Sequence, residues 1–581
     1  MLLRSFLRRC APPRRLSSWP ASACTALAAA LLTACSSTPL PPWPTAPAAQ
    51  TPGAARPVAP PPPVAPAPSG GTPPYGASVS AKFPDPPTVY DTPGLAPGRR
   101  AFTTNAELGQ WLESIAAQAR SPNKLARVFH AGKSQRGAPI LGLLLTGDPA
   151  TDRASPDTSD RPTVLLIGAQ HGDEPASTEA LLVISRELAQ GMLEGLLKHI
   201  QVIVVPRANP DGIDAGTRNT ANGVDMNHDH LLLNTPEARA LARLVSEYRP
   251  VLVVEAHEFT VAGRYLQKFN AVQRYDALLQ YTTTANYPEF LTRASQEWYF
   301  EPMTQALTAQ GLTSDWYYTT PTDPQDKRIS MGTAQPDTGR NVNGLKNAVS
   351  LMIATRGVGI GRMHIQRRVH TQVTAITSVL KSTVKRATDL KRVQSFVERE
   401  VSTQACRDQV VLEAAATPGQ RNLDFLDPET GAQRSIHVDW DSTLALRPTK
   451  SRARPCGYWL AASSTAAVER LRLLGLQVMR IAESGTALAE TYHETAHESG
   501  VRGPIAGDPE TVRVQVAVQR RAIDLPAGSF YVPLNQPRAH LAVAALEPDT
   551  PHSYFANRVL DELAQTARIM VPVSLVFEDT E

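Results

Sequence analysis

The sequence predicts an α/β fold, with a mostly parallel or mixed sheet sandwiched by helices, followed by a smaller β-rich C-terminal domain. From about residue 100 to residue 362, apolar strand-like runs alternate with segments of helical periodicity. Beyond about residue 402, β-branched residues alternate with polar ones between turns, as in TVRVQVAVQRRAIDLPAGSFYVPL. A chain of 581 residues also exceeds what one ordinary core holds, so two or more domains are expected.

The chain divides into four parts by composition. Residues 1–35 form a signal peptide, 36–76 a Pro/Ala-rich linker, 77–400 the α/β domain and 401–581 the β-rich domain. The linker composition cannot bury a core and favours extended polyproline II. We therefore expect a stiff spacer between the N-terminus and the folded part.

The N-terminus has the pattern of an export signal. Arginines are frequent in the first fifteen residues, and an apolar Ala/Leu run follows through Leu32. The segment Leu32-Thr33-Ala34-Cys35, at the end of this run, resembles the lipobox of bacterial lipoproteins, which implies a lipid anchor at Cys35. An ordinary cleaved signal or a short anchor helix is the alternative, but the run is shorter than the ~20 residues of a spanning helix. With Ser36 next, we predict an exported bacterial cell-envelope lipoprotein, in the outer membrane and facing the periplasm.

Net charge excludes a nucleic-acid function. The formal charge is +4, but five arginines and no acidic residue precede Cys35, which leaves about −1 (4 − 5) for the rest. A nearly neutral body has no field that concentrates nucleic acid. No nucleic acid is therefore expected among the partners.

Two cysteines remain in the folded part. Cys10 and Cys24 leave with the signal and Cys35 takes the lipid, so Cys406 and Cys456 are left as a pair. The predicted compartment permits disulfides. A disulfide and two buried free thiols both remain open at this point.

Within the α/β domain, three apolar runs are predicted as strands, with helices after the first two. The strands are VLLIGAQ (164–170), HIQVIVVPRANP (199–210) and VLVVEAHEF (251–259), and the helices are STEALLVISRELAQ and PEARALARLVSEYRP. In such sheets the ligand site lies beyond the carboxyl ends of the strands. His171, Asn209 and His257 all lie at or just past these ends, which places them at the predicted site.

Three later segments complete the prediction. Residues 363–403 form one or two amphipathic helices that close the first domain. The spacing of residues 553–563 indicates a helix on the C-terminal domain. The apolar run at 569–577 is either the last strand of that domain or a segment that returns to the first domain.

A metal site is indicated by the HxxE pair His171-Gly172-Asp173-Glu174, in a loop after a strand. An imidazole and a carboxylate three residues apart on a turn can both face one cation, and a distant histidine completes a three-ligand set. Catalytic zinc prefers such a set, with the fourth position left to water. The pair alone is weak evidence, because a surface turn followed by a helix N-cap gives the same pattern.

The context of this pair is more specific. GAQHGDEPAS, PRANPDG, RNTANGVDMN and VVEAHEF follow one another within about 95 residues, flanked by GKSQRGAPI and TRGVGIGR. This ordered set resembles the M14 zinc carboxypeptidases over roughly residues 100–362, so the domain at 77–400 is similar to an M14 zinc peptidase domain. The resemblance implies a carboxypeptidase-like fold and one Zn²⁺ per chain, held by His171, Glu174 and His257. It also implies that Arg218 faces the substrate carboxylate or the developing oxyanion, and that Asn227 binds the terminal carboxylate.

The pattern departs from the family at two positions. The family's Asn-Arg pair is Asn227-His228 here, and a histidine is a shorter and mostly neutral partner for a carboxylate at pH 7. The family's general-base glutamate is replaced by Ala354, and loss of a general base costs ~10²–10⁴-fold in rate. Glu255 and Glu258 flank His257, and at most one of them faces the site, because positions three apart in a strand face opposite sides. Glu258 is the candidate substitute base, and support of the histidine ligand is the alternative role for either glutamate.

A second zinc-protease motif occurs late in the chain. His493-Glu494-Thr495-Ala496-His497 matches HExxH, in which both histidines lie on one helix face. Ser499-Gly500 and Gly503-Pro504 follow closely, so we expect an exposed charged connector, at a helix end or in a loop, rather than a zinc site.

Three functional hypotheses follow. The leading one is a zinc metallocarboxypeptidase-like hydrolase that acts on C-terminal residues of peptides or peptidoglycan stem peptides. The alternative is a catalytically impaired zinc-binding pseudoenzyme that binds peptide or cell-wall ends, motivated by Ala354 and His228. The third is an HExxH endopeptidase at His493.

Overall fold

A mixed eight-stranded sheet is the central element of the computed structural model, which describes residues 74–119, 125–147, 161–501 and 511–578. The signal peptide with Cys35 and nearly all of the linker lie outside these residues. The strands are β1 (Leu125–Lys133), β2 (Pro139–Thr146), β3 (Thr163–Gly168), β4 (Gln201–Val205), β5 (Leu252–Thr260), β6 (Val272–Gln273), β7 (Ala277–Tyr281), β8 (Ser314–Trp316), β9 (Tyr318–Thr319), β10 (Ile329–Met331), β11 (Val349–Val358), β12 (Gln409–Leu426), β13 (Gln433–Ala453), β14 (Gly457–Leu460), β15 (Met479–Arg480), β16 (Gly485–Val501), β17 (Thr511–Leu525), β18 (Phe530–Pro533) and β19 (Thr566–Ile569).

Two α-helices of the described chain precede β1, and the others lie between strands. They are α1 (Ala77–Ser80), α2 (Asn105–Gln118), α3 (Pro175–Gln190), α4 (Pro210–Ala215), α5 (Pro236–Tyr248), α6 (Gly263–Phe269), α7 (Glu289–Ala294), α8 (Glu301–Ala309), α9 (Gly339–Leu345), α10 (Ile365–Lys385), α11 (Ala387–Thr403), α12 (Thr465–Leu473) and α13 (Ala539–Leu546). No helix in this part of the chain is long and apolar enough to cross a membrane.

The large sheet confirms the predicted fold class. Its strand order is β1-β2-β4-β3-β5-β11-β7-β8. Strands β4, β3, β5 and β11 run parallel to one another, whereas β2 and β7 pair antiparallel with β4 and β11. The three predicted strands are β3, β4 and β5, and their carboxyl ends meet at one edge of the sheet.

Apolar residues fill both faces of this sheet, which explains why its inner strands are continuous hydrophobic runs. Leu165 and Val253 point to a core shared with Leu244 of α5. Leu166 and Val254 point to the opposite core, which contains apolar residues of α2, α3 and α10. Helices therefore cover both faces, as the alternation of strands and helices predicts.

The chain from residue 409 onward is β-rich, as predicted. The long hairpin β12–β13 lies in a five-stranded sheet of order β6-β12-β13-β10-β9. The remaining strands form a six-stranded sheet of order β15-β18-β14-β19-β16-β17. Because β12 and β13 pair with strands that precede residue 400, the domain boundary near that residue stays a prediction.

Two expectations for the C-terminal region are wrong in their local structure. Residues 553–560 form turns and bends instead of a helix, residues 561–562 are irregular, and a short 3-10 helix begins only at Leu563. Ser553 and Asn557 explain the difference, because their side chains bond the Pro548 and Pro551 carbonyls and so compete with helical hydrogen bonds. The HExxH segment lies inside β16, which is neither a helix end nor a loop.

The closing helical segment is split into two helices. Helix α10 ends at Lys385 and α11 begins at Ala387, with Arg386 as the shared cap. The apolar run after Ile569 stays with the C-terminal sheet, where Phe577 forms a bridge with Ile481.

Cys406 and Cys456 form a disulfide that joins the end of the helical region to β14, across a sequence separation of 50. Closing a loop of this length in the unfolded chain stabilises the folded state by about 2–4 kcal/mol. We expect the double variant Cys406→Ala/Cys456→Ala to lose that much unfolding free energy in urea titrations. Dithiothreitol should lower the melting temperature of the unaltered chain and leave that of the double variant unchanged. Equal stability of the two chains without reductant would contradict the prediction.

Candidate metal centre

The two predicted histidines and the glutamate meet at the carboxyl edge of the large sheet. Ligand atoms of His171, Glu174 and His257 all lie within 4.8 Å of one another. His171 Nδ1 is 2.7 Å from Glu174 Oε1, and His257 Nδ1 is 2.8 Å from Glu174 Oε2. The three residues are 2 %, 1 % and 3 % exposed. Among the described residues, this is the one cluster of histidine, cysteine and acidic side chains close enough to hold a metal ion together.

Local backbone geometry fixes this arrangement. Strand β3 ends at Gly168, and Ala169 adopts a left-handed conformation with φ +45°, which turns the chain towards the loop that carries His171. A Cβ on Gly172 would lie 2.0 Å from the Gly212 carbonyl carbon, so only glycine allows this loop to pack on the following one. Glu174 then caps α3, with proline at the first helical position.

The electrostatics of the three groups suit a cation. Burial alone would raise the pKa of Glu174, but the charges of and hydrogen bonds from His171 and His257 hold it well below its usual range. Burial alone would lower the pKa of His257, but Glu174 and, to a smaller extent, Glu255 raise it to about 9. Metal ligands must be deprotonated, so a cation that binds here displaces the imidazole proton of His257.

The donor set matches zinc. Two imidazole nitrogens and one carboxylate are ligand types that Zn²⁺ takes in catalytic sites. The Glu174 carboxylate lies between the two Nδ1 atoms, so all three groups could bind one cation placed among them.

Asp225 contacts the ring nitrogen of His171 that points away from Glu174. Its Oδ1 is 3.0 Å from His171 Nε2 and also accepts the backbone N–H of Asn227 at 3.1 Å. A carboxylate on the remote ring nitrogen fixes the tautomer and the orientation of a metal-binding histidine. Asp225 lies in the RNTANGVDMN motif, but sequence reasoning gave it no role because it is not itself a ligand.

We expect Asp225→Asn to weaken zinc binding by about 10–100-fold, because the amide orients the His171 ring less firmly. Competition with a chelator of known zinc affinity measures this change. Asp211→Asn is the matched control, since Asp211 is as buried (4 % against 5 % exposed) and its carboxylate accepts hydrogen bonds from Ser134 and Arg136 rather than from a metal donor. Equal zinc affinities of the two variants would contradict the role of Asp225.

The two glutamates beside His257 have different environments. Glu255 lies on the same strand face as His257, and its Oε2 is 3.8 Å from His257 Nε2. Glu258 lies on the opposite face, where it binds Arg368 at 2.7 and 2.8 Å and accepts the Ala176 N–H. The structure therefore does not bring the Glu258 carboxylate to the metal donors, and this geometry does not favour Glu258 as a substitute base.

Ala354 lies directly beside the candidate metal centre. It pairs with His257 in the parallel register of β11 and β5, so both side chains point to the same sheet face. Its methyl group is fully buried next to Leu278, its partner on β7. No proton acceptor is present at the position where the resemblance expects the general base.

The predicted substrate-binding residues surround the same centre. The Arg218 side chain is 44 % exposed and donates to Asp225 at 3.0 Å and to Glu174 at 3.3 Å. Asn227 Oδ1 accepts the Gly339 N–H at 3.3 Å. Arg218 is thus within reach of both the metal donors and solvent.

His228 is held by Asp337, whose Oδ2 is 2.8 Å from its Nδ1. Burial alone would lower the pKa of His228, but the charge of and hydrogen bond to Asp337 raise it above its usual value. His552 Nδ1 is 3.6 Å from the same carboxylate oxygen. The C-terminal region thus reaches the rim of the centre, which no sequence signal indicated.

The second motif has the wrong geometry for zinc. His493 and His497 lie on the exposed strand β16, opposite β17, with an irregular register between Glu494 and Ala496. His497 Nδ1 contacts Glu494 at 3.1 Å, and both side chains are more than 40 % exposed. An HExxH site requires one helix face, so the structure contradicts this zinc site.

Comparisons with known proteins agree with the resemblance of the motifs. Residues 109–335 match the family model Peptidase_M14, described as zinc carboxypeptidase. Carboxypeptidase 2 of Trichophyton rubrum is 27% identical over 486 residues, covering 82% of this chain and 87% of that protein. Carboxypeptidase D of Mus musculus is 34% identical over 200 residues, covering 28% of this chain and 14% of that protein. A solved metallo-carboxypeptidase from Burkholderia cenocepacia aligns over 48% of this chain and 69% of its own, with 16% identity and a TM-score of 0.35.

Proposed function

We propose that the chain is a zinc metallocarboxypeptidase-like hydrolase of the M14 type, with one Zn²⁺ held by His171, Glu174 and His257. The observation that carries the proposal is the meeting of these three donors within 4.8 Å at the carboxyl edge of the sheet. The family match over residues 109–335 and the carboxypeptidase relatives support the same class. Zinc in such a set supplies a Lewis acid that polarises a carbonyl and activates water.

Residues of the chain itself bind the substrate and supply positive charge for its carboxylate or for a developing oxyanion. Arg218, which is exposed on one side and faces Glu174, offers a guanidinium fork to a carboxylate or to a developing oxyanion. Asn227 adds a neutral amide donor. The His228 imidazole, held by Asp337, takes the place of the arginine of the family's Asn-Arg pair.

A catalytically impaired pseudoenzyme is the second candidate. It is favoured by Ala354, because the methyl group beside His257 cannot accept a proton. Glu258 is engaged by Arg368 on the other face of the strand. Glu255 stands behind the His257 ring, on the side of Nε2, whereas Nδ1 faces Glu174.

The substrates we propose are C-terminal residues of peptides or of peptidoglycan stem peptides. The proposed place of action is the bacterial cell envelope, with a lipid anchor at Cys35 and a stiff linker that holds the folded part away from the membrane. The lipobox-like segment and the proline-rich composition support this location.

A measurement of peptide hydrolysis distinguishes the active hydrolase from the pseudoenzyme. The zinc-loaded full chain is incubated with peptides that differ in their C-terminal residue and with muropeptides, and released amino acids are measured. The hydrolase proposal expects release of single C-terminal residues that stops when zinc is removed and returns when it is restored. Stoichiometric zinc together with no release from any substrate would support the pseudoenzyme and contradict the hydrolase.

A further inference from the structure

His228 presents one free ring nitrogen at the rim of the candidate metal centre. The residue ends the short 3-10 turn Met226–His228, and its side chain is 23 % exposed. Its Nδ1 is 2.8 Å from Asp337 Oδ2, whereas its Nε2 has no hydrogen-bond partner among the described residues. The second nitrogen is therefore available to a ligand that approaches from solvent.

The backbone of the same turn connects His228 to the metal donors. The His228 N–H donates to the Asp225 carbonyl oxygen at 3.0 Å. The Asp225 carboxylate lies 3.0 Å from His171 Nε2 and accepts the Arg218 Nε–H at 3.0 Å. Arg218 and His228 thus both contact Asp225, and both side chains are partly open to solvent.

The loop before α9 fixes the orientation of this turn. Asn227 Oδ1 accepts the Gly339 N–H at 3.3 Å, and the Asp337 carbonyl oxygen accepts the His230 N–H at 3.2 Å. The carboxylate on His228 Nδ1 is therefore part of a segment that is bonded to the turn at two further points. His230 itself stays neutral, because burial lowers its pKa to about 4.

The charged groups that face His228 come from three segments. Arg218 and Asp225 belong to its own loop, Asp337 precedes α9, and His552 of the C-terminal region lies 3.6 Å from the Asp337 carboxylate. Burial and Arg218 would lower the pKa of His228, but Asp337 and, to a smaller extent, Asp225 raise it above its usual value. His228 and His552 lower the pKa of Asp337 to about 2 in spite of its burial, so this carboxylate stays ionised.

The position of Asp337 also decides which nitrogen of a neutral His228 ring carries the proton. A carboxylate accepts hydrogen bonds, so the neutral ring keeps its proton on Nδ1 and leaves a bare lone pair on Nε2. Such a lone pair repels a second carboxylate. Only the imidazolium has an N–H on both sides, and its Nε2–H can form a charge-assisted hydrogen bond with a ligand carboxylate.

We infer that Asp337 is a positioning residue that makes the binding of a ligand's terminal carboxylate by His228 dependent on a proton. The protonated ring donates through Nδ1 to Asp337 and through Nε2 to the ligand. An arginine at position 228 would bind the same group without this dependence, because it stays charged. The inference rests on the proposed function, since it takes the C-terminal carboxylate of a peptide as the group that binds at this rim.

Calorimetric titration of the zinc-loaded full chain with N-acetylalanine and N-acetylalaninamide tests the inference. The two probes differ only in the terminal carboxylate, and the series runs from about pH 5.5 to about pH 10, across the ordinary histidine pKa of about 6.5. The ratio of the two affinities should favour the carboxylate at the acidic end and fall by about tenfold towards the alkaline end, where the charged hydrogen bond is lost. A fall of less than about threefold, or no preference for the carboxylate at any pH, would overturn the inference.

His228→Arg supplies the baseline for this series. Arginine stays charged throughout, so its ratio of affinities should not fall with pH, while every other titrating group is the same. An equal fall in this variant would mean that a different group titrates, and it would overturn the inference.

Asp337→Asn tests the positioning role. Loss of the charge that raises the pKa of His228 should move the midpoint of the fall to lower pH by about one unit or more. Asp211→Asn serves as the control, because Asp211 is similarly buried, at 4 % against 3 % exposed, and its carboxylate bonds Ser134 and Arg136. An unchanged midpoint in Asp337→Asn, or an equal shift in Asp211→Asn, would overturn the role of Asp337.

Zinc content and melting curves check the folding of each variant. If Asp337→Asn does not fold, the comparison of the unaltered chain with His228→Arg decides. Turnover on the same preparations separates the inference from the proposed function. A carboxylate preference that falls with pH, without any peptide hydrolysis, would contradict the hydrolase and support the inference. Active hydrolysis with a preference that pH does not change would contradict the inference alone.

Discussion

Replacing His171 with alanine is expected to remove bound zinc from the chain. Structural zinc sites contribute about 10–16 kcal/mol over four ligands, so the loss of one ligand weakens binding by on the order of 10²–10³-fold. The remaining pair, Glu174 and His257, would hold the ion too weakly to survive dialysis. Zinc content by mass spectrometry should fall from about one to below about 0.1 ion per chain.

His493→Ala is the matched control for this experiment. It removes an exposed histidine of the competing motif, on strand β16. Zinc content should stay at about one ion per chain. If His171→Ala retained zinc and His493→Ala lost it, the assignment of the metal centre would be refuted.

Introducing a carboxylate by Ala354→Glu is expected to raise the rate of peptide hydrolysis by ~10²–10⁴-fold. Ala354 is the register partner of His257, so a glutamate there points to the face that carries the metal donors. The larger side chain must displace buried neighbours such as Leu278, which costs about 1–3 kcal/mol of stability. The measurement is kcat/KM of the zinc-loaded chain on a C-terminal peptide, together with a melting curve.

Ala354→Gln separates proton transfer from packing. Glutamine has nearly the same size and the same fit, but its amide does not accept the proton. We expect the glutamine variant to stay at the rate of the unaltered chain. Equal rates of the two variants would show that position 354 does not limit catalysis, either because another residue acts as base or because the alignment of Ala354 with the general base is incorrect.

The sequence predicted the part of the fold that depends on buried periodicity. The central residues of β3 and β4 and the first half of β5 are apolar on both faces, so the existence and direction of these strands could be predicted from the chain. The helices between them have strong apolar spacing. His171 and His257 could be placed together because parallel strands end at one edge of the sheet.

Long-range pairing set the features that the sequence did not predict. The HExxH segment becomes a strand because β16 pairs with β17 along almost its whole length, which overrides local helical preference. Residues 553–563 become turns because Ser553 and Asn557 bond neighbouring carbonyls. Neither effect depends on hydrophobic spacing within its own segment.

The surroundings of the centre were the least predictable part of the site. Strand alternation required that at most one of Glu255 and Glu258 face the site, but it did not say which. The pairing of Glu258 with Arg368, 110 residues away, decides it. Asp337 contacts both His228 and His552 at the rim of the centre, and no spacing rule connects Asp337 or His552 to the motif set.

Anomalous diffraction at the zinc absorption edge, on crystals of the unaltered chain, tests the central claim most directly. The account predicts one zinc peak per chain, about 2.0–2.2 Å from His171 Nδ1, His257 Nδ1 and a Glu174 oxygen. A peak at His493 and His497, or no peak between His171 and His257 in crystals grown with zinc, would contradict it.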